Sequence, residues 1–242
     1  MLSDTEARNA LIVALDCDRA RALELTDLLA NHARWVKVGM TLFYRYGPGV
    51  VQEMKDRGFN VFLDLKVHDI PFQVHGAVRS ASLSGADIIS IHALGGSHMI
   101  ASGRSGAAEA AEIRGVGEKG RTKLVAISIL TSMNEEDLSS IGVRDTVVSE
   151  VERLAKLSYN AGADGLVCSA QEASSMREIL GPEALIITPG IRPRGAEKGD
   201  QQRTATPASA IAAGASKLVI GRPITEAKDP CMAFEEIVNE LI

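Results

Sequence analysis

The sequence predicts a single-domain (β/α)8 TIM barrel spanning residues 1–242, and three observations carry that expectation. Eight short apolar runs recur along the chain, helical spacings lie between them, and 242 residues divide into about 30 per strand–helix unit. The runs cover residues 11–15, 35–38, 60–65, 88–91, 124–130, 165–168, 184–188 and 217–220. Each is short and rich in aliphatic residues, as strands buried on both faces of a parallel sheet require. Apolar residues at helical spacing fill 20–31, 49–57, 74–84, 145–161 and 170–180, and 234–242 reads as a closing helix. A doubly wound open sheet is the competing architecture. It usually stops at about five or six strands and carries a glycine-rich dinucleotide loop, and no GxGxxG follows the first run. The glycine-rich stretch 115–120 reads as an exposed loop before the fifth strand, and no linker marks a second domain.

Composition narrows the function. With 45% hydrophobic residues and charges of both signs interspersed, the chain can bury one large core without staples. Its net charge of −5, from 26 basic and 31 acidic residues, lacks the basic footprint that nucleic acid or an anionic membrane surface demands. A small anionic substrate stays compatible, because local fields need not follow net charge. Cys17, Cys168 and Cys231 are isolated, so neither a disulfide framework nor a zinc site is expected. The first residues carry no basic-then-apolar leader, and no run of about 18 apolar residues occurs. These features predict a soluble, cytoplasmic protein with no nucleic-acid or membrane partner.

In a barrel, chemistry belongs at the C-terminal strand ends. Here those ends present Asp16, Lys37, Asp64 with Lys66 and Asp69, His92, Thr131 with Ser132, Pro189 with Arg192, and Gly221 with Arg222. Side chains alternate along a strand, so Phe62, Asp64 and Lys66 share one face while Val61, Leu63 and Leu65 share the other. The aliphatic face suits the outer helices, which turns Asp64 and Lys66 into the barrel mouth. Lys37 faces inward by the same alternation with Val36 and Val38. Buried charges are costly unless paired, so one reading is a structural ion pair capping the barrel. Two lysines and an aspartate in one small space, with Asp69 three residues on, point instead to chemistry. Gly221 and Arg222 after the last strand suit a phosphate, which this fold commonly binds there. The polar, glycine-punctuated stretch 190–204 reads as a lid over that ligand. No HExxH pattern occurs among the histidines, and His92 reads as a hydrogen-bonding support at its strand end. No metal site is expected.

These residues resemble the orotidine 5′-phosphate decarboxylase family, in its bacterial, single-function form. The resemblance rests on Ala14-Leu15-Asp16, Lys37-Val38-Gly39, Asp64-x-Lys66-x-x-Asp69-Ile70, Leu130-Thr131-Ser132-Met133, Thr188-Pro189-Gly190-Ile191-Arg192, Gly199-Asp200-Gln201-x-Arg203 and Ile220-Gly221-Arg222. It implies conversion of orotidine 5′-monophosphate to uridine 5′-monophosphate and carbon dioxide, the last step of de novo pyrimidine synthesis, with no cofactor. It implies Lys66 as proton donor, Asp64 beside the substrate carboxylate with Lys37 and Lys66 flanking it, and a homodimer in which Asp69 enters the partner's site. Asp16 and Lys37 are expected at the ribose, Thr131 and Ser132 at the pyrimidine edge, and Arg192, Gly221 and Arg222 at the phosphate. Gln201 is expected to link base and phosphate, with Ile70 and Pro189 completing the substrate contacts.

Two other functions fit parts of the pattern. Magnesium-dependent sugar-phosphate decarboxylases and aldolases of the same superfamily share Asp-x-Lys-x-x-Asp but carry an acidic residue where Lys37 stands. A catalytically silent nucleotide-binding barrel is the alternative outside catalysis, and the intact Asp64, Lys66 and Asp69 set argues against it.

Overall fold

In a computed structural model the structure describes residues 1–193 and 204–242. Gln201 and most of the expected lid lie outside the described residues. Eight strands, β1 (Leu11–Ala14), β2 (Trp35–Gly39), β3 (Asn60–Val67), β4 (Ile88–His92), β5 (Lys123–Ile127), β6 (Gly165–Val167), β7 (Leu185–Thr188) and β8 (Lys217–Ile220), form a closed barrel in sequence order. Every pairing is parallel, and β1 bonds both β2 and β8 to close the ring.

Helices surround the barrel: α1 (Asp4–Ala10), α2 (Arg19–Leu29), α3 (Met40–Tyr46), α4 (Gly49–Asp56), α5 (Pro71–Leu83), α6 (Gly96–Arg114), α7 (Glu135–Ser140), α8 (Val147–Asn160), α9 (Ala173–Leu180), α10 (Pro207–Ala212), α11 (Arg222–Thr225) and α12 (Pro230–Leu241). Local chemistry starts them where they start. Asp18 caps α2 by accepting from the Arg21 N–H, Thr146 caps α8 through Ser149, and Asp229 caps α12 with proline in its first turn.

The alternation read from the sequence divides the core in two. Ile12, Ala14, Phe62, Ile88, Val125, Ile127, Val167, Ile187 and Val219 fill the barrel interior. Val13, Val36, Val38, Val61 and Leu63 face outward with the buried sides of the helices. Burying a side chain such as Phe62, 1% exposed, contributes about 1.5–3 kcal/mol.

The structure departs from the expected boundaries in informative places. The third strand runs on to Val67, past its expected end at 65, and the fifth stops at Ile127, before 130. The stretch 115–120 is exposed as expected but contains a short 3-10 turn, Glu118–Gly120. The 19-residue α6 is absent from the helical stretches read from periodicity. Beyond Met99 and Ile100 in its first turns, its buried side is built from Gly103, Gly106, Ala107, Ala110 and Ala111, which give almost no apolar signal. Such small residues let α6 approach α5 closely: a Cβ on Gly106 would lie 2.3 Å from the His75 carbonyl oxygen.

At the N-terminal end of the barrel, Lys217 is 7% exposed, donates to the Asn9 carbonyl at 2.7 Å, and sits 3.9 Å from the centre of the Trp35 ring. Burial pushes its pKa down to about 8, with Asp87 opposing the shift.

Candidate active site

Two connected clefts open at the C-terminal end of the barrel. The first, about 240 Å3, has an apolar floor that includes Phe62, Ile127 and Val219, with Asp16, Lys37, Asp64 and Lys66 on its wall. The second, about 470 Å3, shares Asp16, Lys37, Pro189 and Val219 with the first and ends at Arg192, Gly221 and Arg222. One end therefore suits a flat, partly apolar group and the other an anion.

Charges alternate along the wall. The Lys37 ammonium donates to Asp16 Oδ1 at 2.8 Å and lies 3.7 Å from Asp64 Oδ2. The Lys66 ammonium donates to the same Asp64 oxygen at 2.9 Å, and Ser90 Oγ donates to Asp64 Oδ1 at 2.8 Å. Burial acts to raise the Asp64 pKa, but the Lys37 and Lys66 charges and the hydrogen bonds from Lys66 and Ser90 outweigh it. They hold the carboxyl below the ordinary carboxylate range. Asp64, 8% exposed, is thus an anion clamped by two cations.

Backbone makes room for this array. A Cβ on Gly39 would lie 2.8 Å from Asp16 Oδ1 and 3.1 Å from Lys37 Nζ, so the last residue of β2 must be glycine for that pair to form undisturbed.

The structure gathers Asp16, Lys37, Asp64, Lys66, Thr131 and Pro189 around the first cleft, with Arg192, Gly221 and Arg222 in the second. Asp69 and Ile70 stand apart. Both are exposed, and Asp69 lines a groove of about 700 Å3 on the barrel flank with Met40, Tyr44 and His68. Lys66 borders this groove as well as the first cleft. Ser132 is exposed and lines neither cleft, although its neighbour Thr131 lines the first.

His92 ends β4, and its Nδ1 accepts from the Leu94 N–H at 3.4 Å. Its ring stacks on His68 with centroids 5.3 Å apart. Burial, then the proximity of His68 and Lys66, pushes the His92 pKa down, which favours its neutral form. Sequence reasoning missed Ser90 and the His68 stack. Ser90 had a signal: it is the lone hydroxyl in Ile88-Ile89-Ser90-Ile91, two residues before His92 on the same strand face. Among the described residues, no three His, Cys, Asp or Glu side chains converge as a metal-ligand group.

Fold and site define a barrel enzyme that receives a small anionic molecule at its strand C-termini. The chain belongs to the orotidine 5′-phosphate decarboxylase / HUMPS family, whose sequence profile matches residues 9–237. It is 47% identical over 233 residues to orotidine 5′-phosphate decarboxylase of Vibrio cholerae, covering 96% of this chain and 98% of that one. The Chromohalobacter salexigens enzyme of the same name is 46% identical, over 96% of this chain and 95% of its own. The crystal structure of orotidine 5′-phosphate decarboxylase from Lactobacillus acidophilus superposes with a TM-score of 0.83 at 36% identity, covering 96% and 99% of the two chains.

Proposed function

We propose that the chain decarboxylates orotidine 5′-monophosphate to uridine 5′-monophosphate by direct protonation from Lys66, without metal or organic cofactor. The activity follows from the family and from relatives named for it, and makes the chain a carboxy-lyase. The observation that carries the mechanism is the Lys37–Asp64–Lys66 array set into an apolar cleft that continues to Arg192 and Arg222.

Breaking the bond to carbon dioxide leaves its electron pair on a ring carbon with no π system to delocalise it. Many decarboxylases solve this with an electron-accepting cofactor. Here the field of a fixed ammonium does so: Lys66 faces the developing carbanion and then transfers a proton to it, and the neutral amine regains a proton from solvent. Asp64 holds both ammonium groups in place before substrate arrives, so little reorganisation accompanies the reaction. Asp16 and Lys37 meet the ribose hydroxyls, Thr131 the pyrimidine edge, and Arg192, Gly221 and Arg222 the phosphate. Binding the remote phosphate aligns the ring carbon with Lys66, so a substrate lacking it should lose turnover as well as affinity.

Asp69 takes part from a second subunit. In its own chain it lies on the flank groove, beside exposed Tyr44, Ile70 and Phe72, the last 81% exposed. Covering that apolar patch with a second copy would bring each Asp69 to the other subunit's mouth. No helix among the described residues is long and apolar enough to cross a membrane, in keeping with a cytoplasmic enzyme of pyrimidine synthesis.

The test is to mix EDTA-treated protein with orotidine 5′-monophosphate and follow the ultraviolet change on conversion. Rapid, chelator-independent turnover is expected. Activity lost to EDTA and restored by magnesium would overturn the metal-free mechanism in favour of the sugar-phosphate branch; tight nucleotide binding without turnover would overturn catalysis itself.

A further inference from the structure

We infer that Ser90 is a positioning residue for the decarboxylation: a single hydroxyl sets both the Asp64 carboxylate and the backbone that presents Lys66. The inference rests on the reading of Lys66 as proton donor.

It begins with a break in the β3–β4 ladder. Leu63 pairs with Ile89 and Val67 pairs with Ile91, so Asp64, Leu65 and Lys66 all stand opposite the single residue Ser90. In a bulge the extra residues lose their ladder partners, and bulges between parallel strands are rare. The backbone pays its conformational cost at Lys66, whose φ of +52° makes it the only non-glycine residue with positive φ among the described residues. A regular strand would carry the lysine to the same face as Asp64; here it reaches that face through a bulge and a left-handed residue.

An unpaired N–H in this partly buried position is costly. Here it has a substitute acceptor, because the Lys66 N–H donates to Ser90 Oγ at 2.9 Å. The same hydroxyl donates its own proton to Asp64 Oδ1 at 2.8 Å. Ser90 is fully buried, on the inward face of β4 between Ile88 and His92. An ionised aspartate only accepts and a backbone N–H only donates, so the linking group must do both, and a hydroxyl does. With Oδ1 fixed, Oδ2 is left facing Lys66 at 2.9 Å and Lys37 at 3.7 Å. Ser90 thus couples the anion of the array to the main chain of the proton donor.

Ser90→Ala removes both hydrogen bonds while deleting one atom. A fall in kcat of roughly 10- to 100-fold is expected, the range for losing a hydrogen bond to a charged group, with KM changing far less. The Asp64 carboxyl, followed by carbon NMR and assigned from its absence in Asp64→Asn, should titrate at higher pH than in the unsubstituted chain. Ser90→Cys, close in shape but a weak donor and acceptor, should move both readouts in the same direction and carries the test where Ser90→Ala does not fold. Unchanged kcat and unchanged Asp64 titration, even with a lowered Tm, would make Ser90 merely structural and overturn the inference. Lys66→Ala separates the two readings: an active variant overturns the donor role itself, whereas an inactive one alongside normal Ser90→Ala overturns only the role of Ser90.

Discussion

Replacing Lys66 with alanine removes two contributions whose sizes can be worked separately. An ammonium held ~4 Å from a developing carbanion is worth about 4 kcal/mol at an effective dielectric of ~20, or roughly a factor of 10³ in rate. Positioned proton transfer adds about 10²- to 10⁴-fold. Lys66→Ala should therefore lose roughly five to seven orders of magnitude in kcat. Its fold should survive, because Asp64 keeps Lys37 at 3.7 Å and the Ser90 hydrogen bond at 2.8 Å. The Lys66 side chain is 30% exposed while Asp64 is buried, so losing this ion pair should cost more than the ~1 kcal/mol of an exposed pair but less than the roughly 3–5 kcal/mol of a fully buried one. Lys66→Arg divides the two contributions, since a guanidinium keeps the charge but does not give up its proton. The assay is the ultraviolet conversion of orotidine 5′-monophosphate, with circular dichroism and urea unfolding as fold controls. A folded Lys66→Ala enzyme working within tenfold of normal would refute the reasoning, and equal rates for the Arg variant and the unsubstituted enzyme would refute the proton-transfer half.

Further expectations test other parts of the site and scaffold. Mixing inactive Lys66→Ala and Asp69→Ala chains should restore up to about a quarter of the sites, because each mixed dimer rebuilds one intact site; no recovery despite demonstrated subunit exchange would refute the shared site. Gly39→Ala places a methyl 2.8 Å from Asp16 Oδ1 and 3.1 Å from Lys37 Nζ, so KM for the nucleotide should rise about tenfold, the loss of roughly one good polar contact; an unchanged KM in steady-state kinetics would show that the Asp16–Lys37 pair does not meet substrate. Trp35 is the chain's one tryptophan, and its ring carries the Lys217 ammonium only below a pKa of about 8. Its fluorescence should change as pH rises through about 8, and Lys217→Met should abolish that transition. The sign for stability runs the same way. A lysine whose folded pKa is depressed disfavours folding while charged, so stability should rise from about pH 8 toward the lysine's ordinary range near 10.4.

The barrel was readable because its strands are apolar on both faces and its inward and outward sets alternate strictly, as at Val36, Val38, Val61, Phe62 and Leu63. That alternation also turned Lys37 and Asp64 toward the mouth. It was less informative at Lys66, where the expected inward face is right but the route is a bulge and a left-handed residue, set by a partner on another strand. Ser90 escaped for the same reason: its work is done across a ladder, and a sequence shows no ladder. The α6 helix escaped because glycine and alanine, which allow its close approach to α5, resemble a featureless stretch when read for apolar periodicity. Asp69 was found by motif, and only the structure placed it on the flank, away from the carboxylate that precedes it in the same motif.

The three-against-one pairing between Leu63 and Val67 also constrains how this chain can vary in evolution. Asp64 looks into the mouth and Asp69 onto the flank, and one short run of backbone sets both directions. Deleting a single residue there would reverse the strand residues that follow it, up to Val67, and draw Asp69 along by about 3.3 Å. Loops at other strand ends can lengthen or shorten with the barrel intact. Between residues 63 and 69 side chains other than Asp64, Lys66 and Asp69 can be exchanged, but the length is fixed by two chemistries at once.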